Sequence, residues 1–409
     1  MPHKNSNVVE LINSVVRNGL CTGCGICESI APKGAMEMAL NAEGYLRPKI
    51  QTATDYGDDA TIRDVCPGVR VDHGELKADY HAIWGPLVAV RAGHAADSEI
   101  RHKGSSGGVI SALAVYLLEQ GLVDFVAHIA VSQDDPLRNE LQLSRTRDDV
   151  LHAAGSRYAP SAPLSALREL LDLGERFAFI GKPCDIAALR RYARHDARVD
   201  ELIPYMLSFM CAGIPSIKGT YELLENLGAD RSQLKSFQYR GDGWPGMAKA
   251  ITQEGQVFEM DYNSSWGNIL NRHLQFRCKI CPDGTGEFAD VVCADAWYGK
   301  DGYPDFTERE GRSLVLSRTP QGESLIQAAV KSEAIRAQAL PVDDIALMQP
   351  YQVNRKKMVL GRLIATWLAR GQAPRYKRLG LLRASLTANP IDWLRSACGT
   401  FLRAKGEKQ

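Results

Sequence analysis

The placement of the cysteines constrains this chain more than any other feature. Eight of the ten fall into two groups of four: Cys21, Cys24, Cys27 and Cys66 near the start, then Cys184, Cys211, Cys278 and Cys281. Four thiolates form a complete ligand set for one metal centre, and a centre held in this way couples metal binding to folding. The first run reads Cys21-Thr-Gly-Cys-Gly-Ile-Cys27, which puts three thiols on one tight loop. Its glycines let the backbone wrap a bulky inorganic core and turn amide N–H groups toward the core's sulfides. This pattern favours an iron–sulfur cluster over zinc. Where a two-cluster ferredoxin places a cysteine for its second cluster, this chain has Ala31 followed by Pro32. One cluster is therefore expected in the head, with Cys66-Pro67 supplying its fourth ligand.

The second group is dispersed. Cys184 falls where Gly181-Lys-Pro-Cys-Asp185 turns into a helix, a position that favours a thiolate, and Cys211 follows the apolar run 205–210. Cys278-Lys-Ile-Cys281-Pro282 adds a C-x2-C-Pro loop. Any one of these thiols alone reads as a buried structural cysteine. The four together point to a second cluster. Cys293, inside the apolar run 291–294, reads as strand packing, and Cys398 lies in a basic tail.

At 409 residues, 45% hydrophobic and 24% charged, the chain is long enough for two or three domains around a sizeable core. Residues 1–19 contain no uninterrupted apolar stretch before a small-residue cleavage site. A cytoplasmic location is expected, where thiols stay reduced and bind metal. The net charge of +1 conceals an asymmetry, because residues 350–409 hold 13 Lys and Arg against Asp392 and Glu407. Arg362 and Arg370 bracket the most apolar part of that tail, so it is not expected to span a bilayer.

The sequence pattern divides the chain into a ferredoxin-like cluster-binding head at 1–72, an α/β domain at 73–349 and a basic helical extension at 350–409, the last divided by Pro374 and Pro390. In the middle region strands are expected at 88–93, 122–131, 177–180 and 205–210. Helices are expected at 109–119, 163–173 and 186–194. Their alternation predicts a largely parallel or mixed sheet. Lys103-Gly-Ser-Ser-Gly-Gly108 enters one of these helices and has two readings. It is either an anion site, in which Ser105, Ser106 and helix N–H groups meet a phosphate beside Lys103, or a serine cap with glycines for close packing. It is not a P-loop, because no Gly-Lys-Ser/Thr follows.

Other chemistries fit poorly. The nine histidines fall in no nucleophile–base pattern, which argues against Cys/His or Ser/His catalysis. Trp367, Tyr376, Trp393 and Phe401 are interleaved with tail charges at amphipathic spacing, without a nucleic-acid recognition motif, so no nucleic-acid partner is expected. The tail reads as a solvated or partner-facing helix, with peripheral membrane contact as the alternative.

Seven segments then occur in a recognisable order: 103–108, Gly155-Ser-Arg-Tyr158, 181–184, 208–213, Arg240-Gly-Asp-Gly-Trp-Pro-Gly246, 278–284 and 289–297. The series resembles the beta-subunit family of coenzyme F420 hydrogenases and dehydrogenases, which includes ferredoxin-dependent reductases of chlorophyll-type tetrapyrroles. The resemblance implies an iron–sulfur flavoprotein with two [4Fe–4S] clusters and FAD, the second cluster on Cys184, Cys211, Cys278 and Cys281. FAD would be held at Lys103, Ser105, Ser106, Gly107 and Gly108, and near Ser156 and Tyr158. The implied activity couples one-electron transfer from ferredoxin or another acidic carrier to hydride transfer with an organic substrate or coenzyme F420. Lys182, Arg240 and Trp244 would surround that substrate. Each also has a plain structural reading, as a helix-cap contact, a salt bridge and core packing respectively. A relay subunit of an oligomer or larger complex is the other implication. The tail's charge suits an acidic electron donor, or an anionic membrane surface.

Overall fold

Apolar runs in the middle of the sheet and more polar segments at its two edges form the eight strands of one sheet: β1 Ala89–Ala95, β2 Phe125–Val131, β3 Asn139–Ser144, β4 Phe177–Gly181, β5 Tyr205–Phe209, β6 Val291–Asp295, β7 Ser313–Ser317 and β8 Ile335–Ala339. The structure, a computed structural model, describes residues 5–52, 55–56, 59–74, 80–300 and 303–406. The first four residues and the last three of the basic segment lie outside them. In space the strands run β8-β1-β7-β6-β5-β4-β2-β3. The four neighbours β6, β5, β4 and β2 are parallel, while β3 on one side and β7, β1 and β8 on the other pair antiparallel. The sheet is therefore mixed, with its parallel part at the centre, where both faces are covered.

Period-two alternation assigns those faces. In β4, Phe177 and Phe179 pack with Ile186 and Leu189 of the helix Pro183–Tyr192. Ala178 and Ile180 face the other way, toward Leu113 and Leu117 of the helix Val109–Glu119. β6 repeats the pattern, with Val292 and Ala294 on the first face and Val291 and Cys293 on the second.

The helix at Val109–Glu119 matches its expectation, but other boundaries move for hydrogen-bonding reasons. The strand expected from Leu122 begins at Phe125, because the Leu122 N–H closes the preceding helix on the Leu117 carbonyl and the Asp124 N–H donates to Arg176. The helix expected from Pro163 begins at Leu167, because the Leu164 N–H donates to the Cys24 carbonyl at 3.0 Å. The helix expected at 186–194 spans Pro183–Tyr192. Proline at its start needs no donor, and the Asp185 carboxylate accepts the Lys182 N–H at 3.0 Å. The expected strands at 88–93 and 205–210 are observed as Ala89–Ala95 and Tyr205–Phe209.

The head lies on the Phe177 face, and Cys24, Ile26 and Val65 join that core. Its cysteine loop needs glycine. Gly25 has a φ of 88°, and a Cβ there would lie 2.6 Å from the Ser165 nitrogen. From Pro350 the chain forms the helices Pro350–Arg370, Leu381–Leu386 and Pro390–Gly406. Pro390 opens the last helix, and Pro374 lies in the gap before the short strand Arg375–Lys377. That strand pairs in parallel with Arg70–Asp72, and Gln372 accepts hydrogen bonds from Ser14 and Asn18 at 2.7 and 3.0 Å. The basic segment, expected as an appendage, is stitched to the head.

Candidate functional site

A cavity of about 740 Å³ opens at the carboxyl ends of β4, β5 and β6. Open α/β sheets place their ligands at this edge. Among the residues singled out from the sequence, Ser105, Ser106, Gly108, Ser156, Tyr158, Lys182 and Arg240 line it, whereas Lys103, Gly107 and Trp244 do not.

The glycines of the glycine-rich loop pack closely as expected, but the expected serine cap is absent: the helix is entered through Gly108, with no side-chain cap hydrogen bond. Gly107 packs against the sheet, where a Cβ would meet the Ser313 nitrogen at 2.7 Å, and Gly108 has a φ of 72°. Ser106 is spent internally, its hydroxyl donating toward the carbonyls of Ala294 at 3.1 Å and Arg312 at 3.0 Å. Lys103 pairs with Glu99 at 3.2 Å, away from the cavity. Ser105 differs, because its buried hydroxyl has no hydrogen-bond partner and stands at the cavity wall. Such a group costs about 1–3 kcal/mol unless a ligand satisfies it. The helix Val109–Glu119 starts there without a side-chain cap, which leaves its first N–H groups for an anion.

Another part of the cavity wall is aromatic. Tyr158 packs on Trp266 with ring centroids 4.6 Å apart, and Trp297 stacks on Trp244 at 4.8 Å. The Arg240 guanidinium lies 4.8 Å from the Tyr262 ring and 5.0 Å from the Trp297 ring. Asp295, the last residue of β6, organises this wall. It accepts two hydrogen bonds from Arg240 at 2.9 and 2.6 Å and one from the Trp244 indole at 2.7 Å. Burial alone would lower the Arg240 pKa, but the carboxylate outweighs it and holds the group above its ordinary value. Lys182 is buried 2.8 Å from Asp185 and 3.0 Å from the Ser161 hydroxyl. Burial pulls its pKa down, yet Asp185 and then Cys184 more than compensate. The salt-bridge, packing and helix-cap readings of Arg240, Trp244 and Lys182 are thus all realised, and two of the three also face the cavity. Asp295 received no role from the sequence. Its only signal was an acidic residue closing the apolar run 291–294.

All ten cysteines are free thiols. Burial pushes Cys24 up to about 12 and Cys66 up to about 11, with the charge of Cys66 adding to the first shift and that of Cys21 to the second. Cys27 is driven well up by burial, then by Cys21, Cys24 and Cys66, so the four share one environment. In the second group burial pushes Cys211 to about 12, with Cys278 and Cys281 contributing. Cys184 rises through burial and, among its neighbours, feels both Cys211 and Cys24, so the two groups adjoin. N–H donors face the sulfurs. Gly23 lies 3.4 Å from Cys21 Sγ, and Ile214 and the Gln275 amide each lie 3.4 Å from Cys278 Sγ. Arg277, fully buried, bridges the two cysteine groups by donating to the Pro67 carbonyl at 2.9 Å. Among the described residues no group of three or more His, Cys, Asp or Glu is arranged to hold a metal ion. A cubane puts one thiolate on each of four irons, so its ligands surround a volume rather than a point.

Cys293 is buried in β6, where burial raises its thiol to about 12, and it touches the cavity. Cys398 is exposed.

Several tail cations, expected to face outward, turn inward onto the second thiol group. Arg355 donates to the Cys211 carbonyl at 2.9 Å, Lys356 to the Pro282 carbonyl at 3.1 Å and Arg362 to the Lys279 carbonyl at 2.9 Å. Lys356 also pairs with buried Glu287, which accepts His73 at 2.9 Å and Tyr80 at 2.7 Å. Burial would raise the Glu287 carboxyl, but Lys356 and His73 outweigh it and hold it at about 2.

Sequence profiles now place the chain in an oxidoreductase family. The N-terminal profile of the coenzyme F420 hydrogenase/dehydrogenase beta subunit matches residues 90–168, and its C-terminal profile matches residues 174–343. The two cover more than half of the chain, which belongs to this beta-subunit family. It is 26% identical to the coenzyme F420 hydrogenase subunit beta of Methanococcus voltae, over 67% of this chain and 93% of that one. It is 25% identical to the coenzyme F420-dependent sulfite reductase of Methanocaldococcus jannaschii over 86% of this chain, and spans 52% of that enzyme's length. A chain of the F420-reducing [NiFe] hydrogenase complex of Methanosarcina barkeri shares the fold, with a TM-score of 0.55 and 22% identity over 72% of this chain and 97% of that one.

Proposed function

We propose that this chain is an iron–sulfur flavoprotein oxidoreductase that joins one-electron and two-electron transfer. The observation that carries this reading is continuity. The thiols Cys21, Cys24, Cys27 and Cys66 adjoin Cys184, Cys211, Cys278 and Cys281, and Cys211 in turn lines the cavity. Each set would hold one [4Fe–4S] cluster, a fit supported by four thiols per set and by N–H groups facing the sulfurs. FAD would occupy the cavity, with phosphate at the uncapped helix start beside Ser105 and with Ser156 and Tyr158 on a neighbouring wall. When bound, FAD supplies hydride exchange with an organic partner and single-electron exchange with the clusters.

The protein's own residues shape the remaining chemistry. Tyr158, Tyr262, Trp266 and Trp297 give a planar ligand apolar faces to stack on. Arg240, fixed by Asp295, holds a positive charge beside them, and Lys182 holds another at the end of β4. These cations suit an anionic organic substrate or a deazaflavin such as coenzyme F420, with ferredoxin or another acidic carrier exchanging electrons at the thiol side. A second reading, an electron-relay subunit of a larger complex, is favoured by the named relatives that are themselves subunits.

Anaerobic purification followed by iron, sulfide and flavin assays tests the proposal. About eight irons, matching sulfide and one FAD per chain are expected for two [4Fe–4S] clusters. Zinc without sulfide would overturn it. Reduction of coenzyme F420 by the isolated chain with reduced ferredoxin would favour the enzyme over the relay.

A further inference from the structure

Among the described residues, the C-terminal helices leave an apolar face without a partner. Pro390–Gly406 packs one side onto Pro350–Arg370. The Trp393 indole covers Gly361, where a Cβ would meet it at 2.7 Å, and Arg362 and Arg370 donate to the Ser396 hydroxyl at 2.8 Å and the Ala404 carbonyl at 2.9 Å. At about 3.6 residues per turn, the opposite side of this helix carries Ile391, Leu394 and Leu402. All three are exposed, as are Leu382 and Leu386 on the preceding short helix and Trp367 on the long one, with exposures from 58% to 78%. Arg383, Arg395, Arg403 and Lys405 are exposed on the same two C-terminal helices, and Asp392 is the only acidic residue on them.

We infer that this face docks the protein on an anionic bilayer surface, with the helices lying in the interface. Leucine and isoleucine flanked by arginine and lysine, with a tryptophan nearby, match the two demands of that interface, apolar depth and negative headgroups. Charge argues against a second copy as the occupant, because pairing identical faces would bring the same cations together. An acidic protein partner fits less well, because aliphatic side chains dominate the face and leucine is under-represented among the residues that anchor protein interfaces, whereas fluid hydrocarbon accepts any aliphatic shape. Among the described residues no helix is long and apolar enough to cross a membrane, so the contact is peripheral. The helix Pro350–Arg370 acts as a strap whose inner side holds the second thiol group through Arg355, Lys356 and Arg362, so membrane docking would place that group close to the bilayer.

The test is co-sedimentation of the full chain with vesicles of phosphatidylcholine alone or mixed with phosphatidylglycerol. Binding to the mixed vesicles is expected to exceed binding to phosphatidylcholine by about tenfold at low salt and to fall as salt rises. The double variant Leu394→Glu/Leu402→Glu should lose it, with melting temperature and flavin and iron content unchanged. Should that variant misfold, Leu382→Ser/Leu386→Ser on the separate short helix should lower binding instead. Absence of binding to mixed vesicles at low salt would overturn the proposal, as would binding unaffected by a folded variant. Dimerisation of the wild type in solution, broken by the same substitutions and without vesicle binding, would assign the face to a second copy. Cofactor content is read separately, so this result stands apart from the redox proposal.

Discussion

The two thiol groups are alike in composition and opposite in construction. Three members of the first group share a seven-residue segment, shaped by glycines with left-handed backbone and closed by Cys66 at the end of the helix Ala60–Val65. The second group takes Cys184 from the start of a helix, Cys211 from beyond β5 and only Cys278 and Cys281 from one loop. Local backbone conformation positions the first. The second exists only because two parallel strands end side by side and a C-terminal strap fastens the loops around them. Damage to the strap's contacts with those loops, at Arg355, Lys356 or Arg362, should therefore reach the second group and spare the first.

The largest expected effect comes from the proposed cluster ligands. Cys24→Ser and Cys281→Ser should each halve the iron content, from about eight atoms to about four. Electron paramagnetic resonance should show a different signal surviving in each variant. Loss of both signals in either one would mean that the two sites fold as a unit and would break the contrast.

Lys356→Ala comes next. It strands the buried Glu287 carboxylate and removes a donor to the Pro282 carbonyl, so a loss of about 3–5 kcal/mol is expected in urea unfolding. Iron loss should be confined to the second site.

The same ion pair sets a pH dependence. The Glu287 carboxyl is depressed from its ordinary 4.5 to about 2, so its stabilisation is fully present above pH 4.5 and is lost as the pH falls toward 2. The contribution is on the order of 3 kcal/mol. Urea midpoints of the wild type should fall more steeply over that window than those of Glu287→Gln, and parallel slopes would refute the assignment.

Gly25→Ala tests the first group alone. A φ of 88° and a backbone contact at 2.6 Å make a side chain unfavourable there, by about 1–3 kcal/mol. Iron should be lost only from the head site. The smallest effect is expected from Cys293→Ala, which removes one buried sulfur from β6 and should leave iron unchanged, at a stability cost of about 1 kcal/mol.

Much of this organisation was legible in the residues, for reasons of range. The spacing 21–24–27, the glycines between, the helix at Val109–Glu119 and the strand at Phe177 are short-range signals, in which neighbouring residues settle the backbone. The antiparallel pairing of β7 and β8 with β1 and the inward turn of the tail depend on partners far away in the chain, whereas β3 pairs with its sequence neighbour β2 and gives no clear signal because Asn139–Ser144 has no continuous apolar run. The start of the helix at Leu167 likewise depends on one long-range bond, from the Leu164 N–H to the Cys24 carbonyl. The sequence by itself determined which atoms are available: eight grouped thiols, a glycine-rich helix entrance and a surplus of cations after Pro350. Tertiary structure alone decided which of them meet. It set Asp295 between Arg240 and Trp244, left Ser105 unsatisfied at a cavity wall, and folded Arg355 and Lys356 back over Cys211 and Pro282. The physical reason is that a buried charge or hydrogen-bonding group must find a partner wherever the packed chain brings one, and sequence spacing carries no record of that distance.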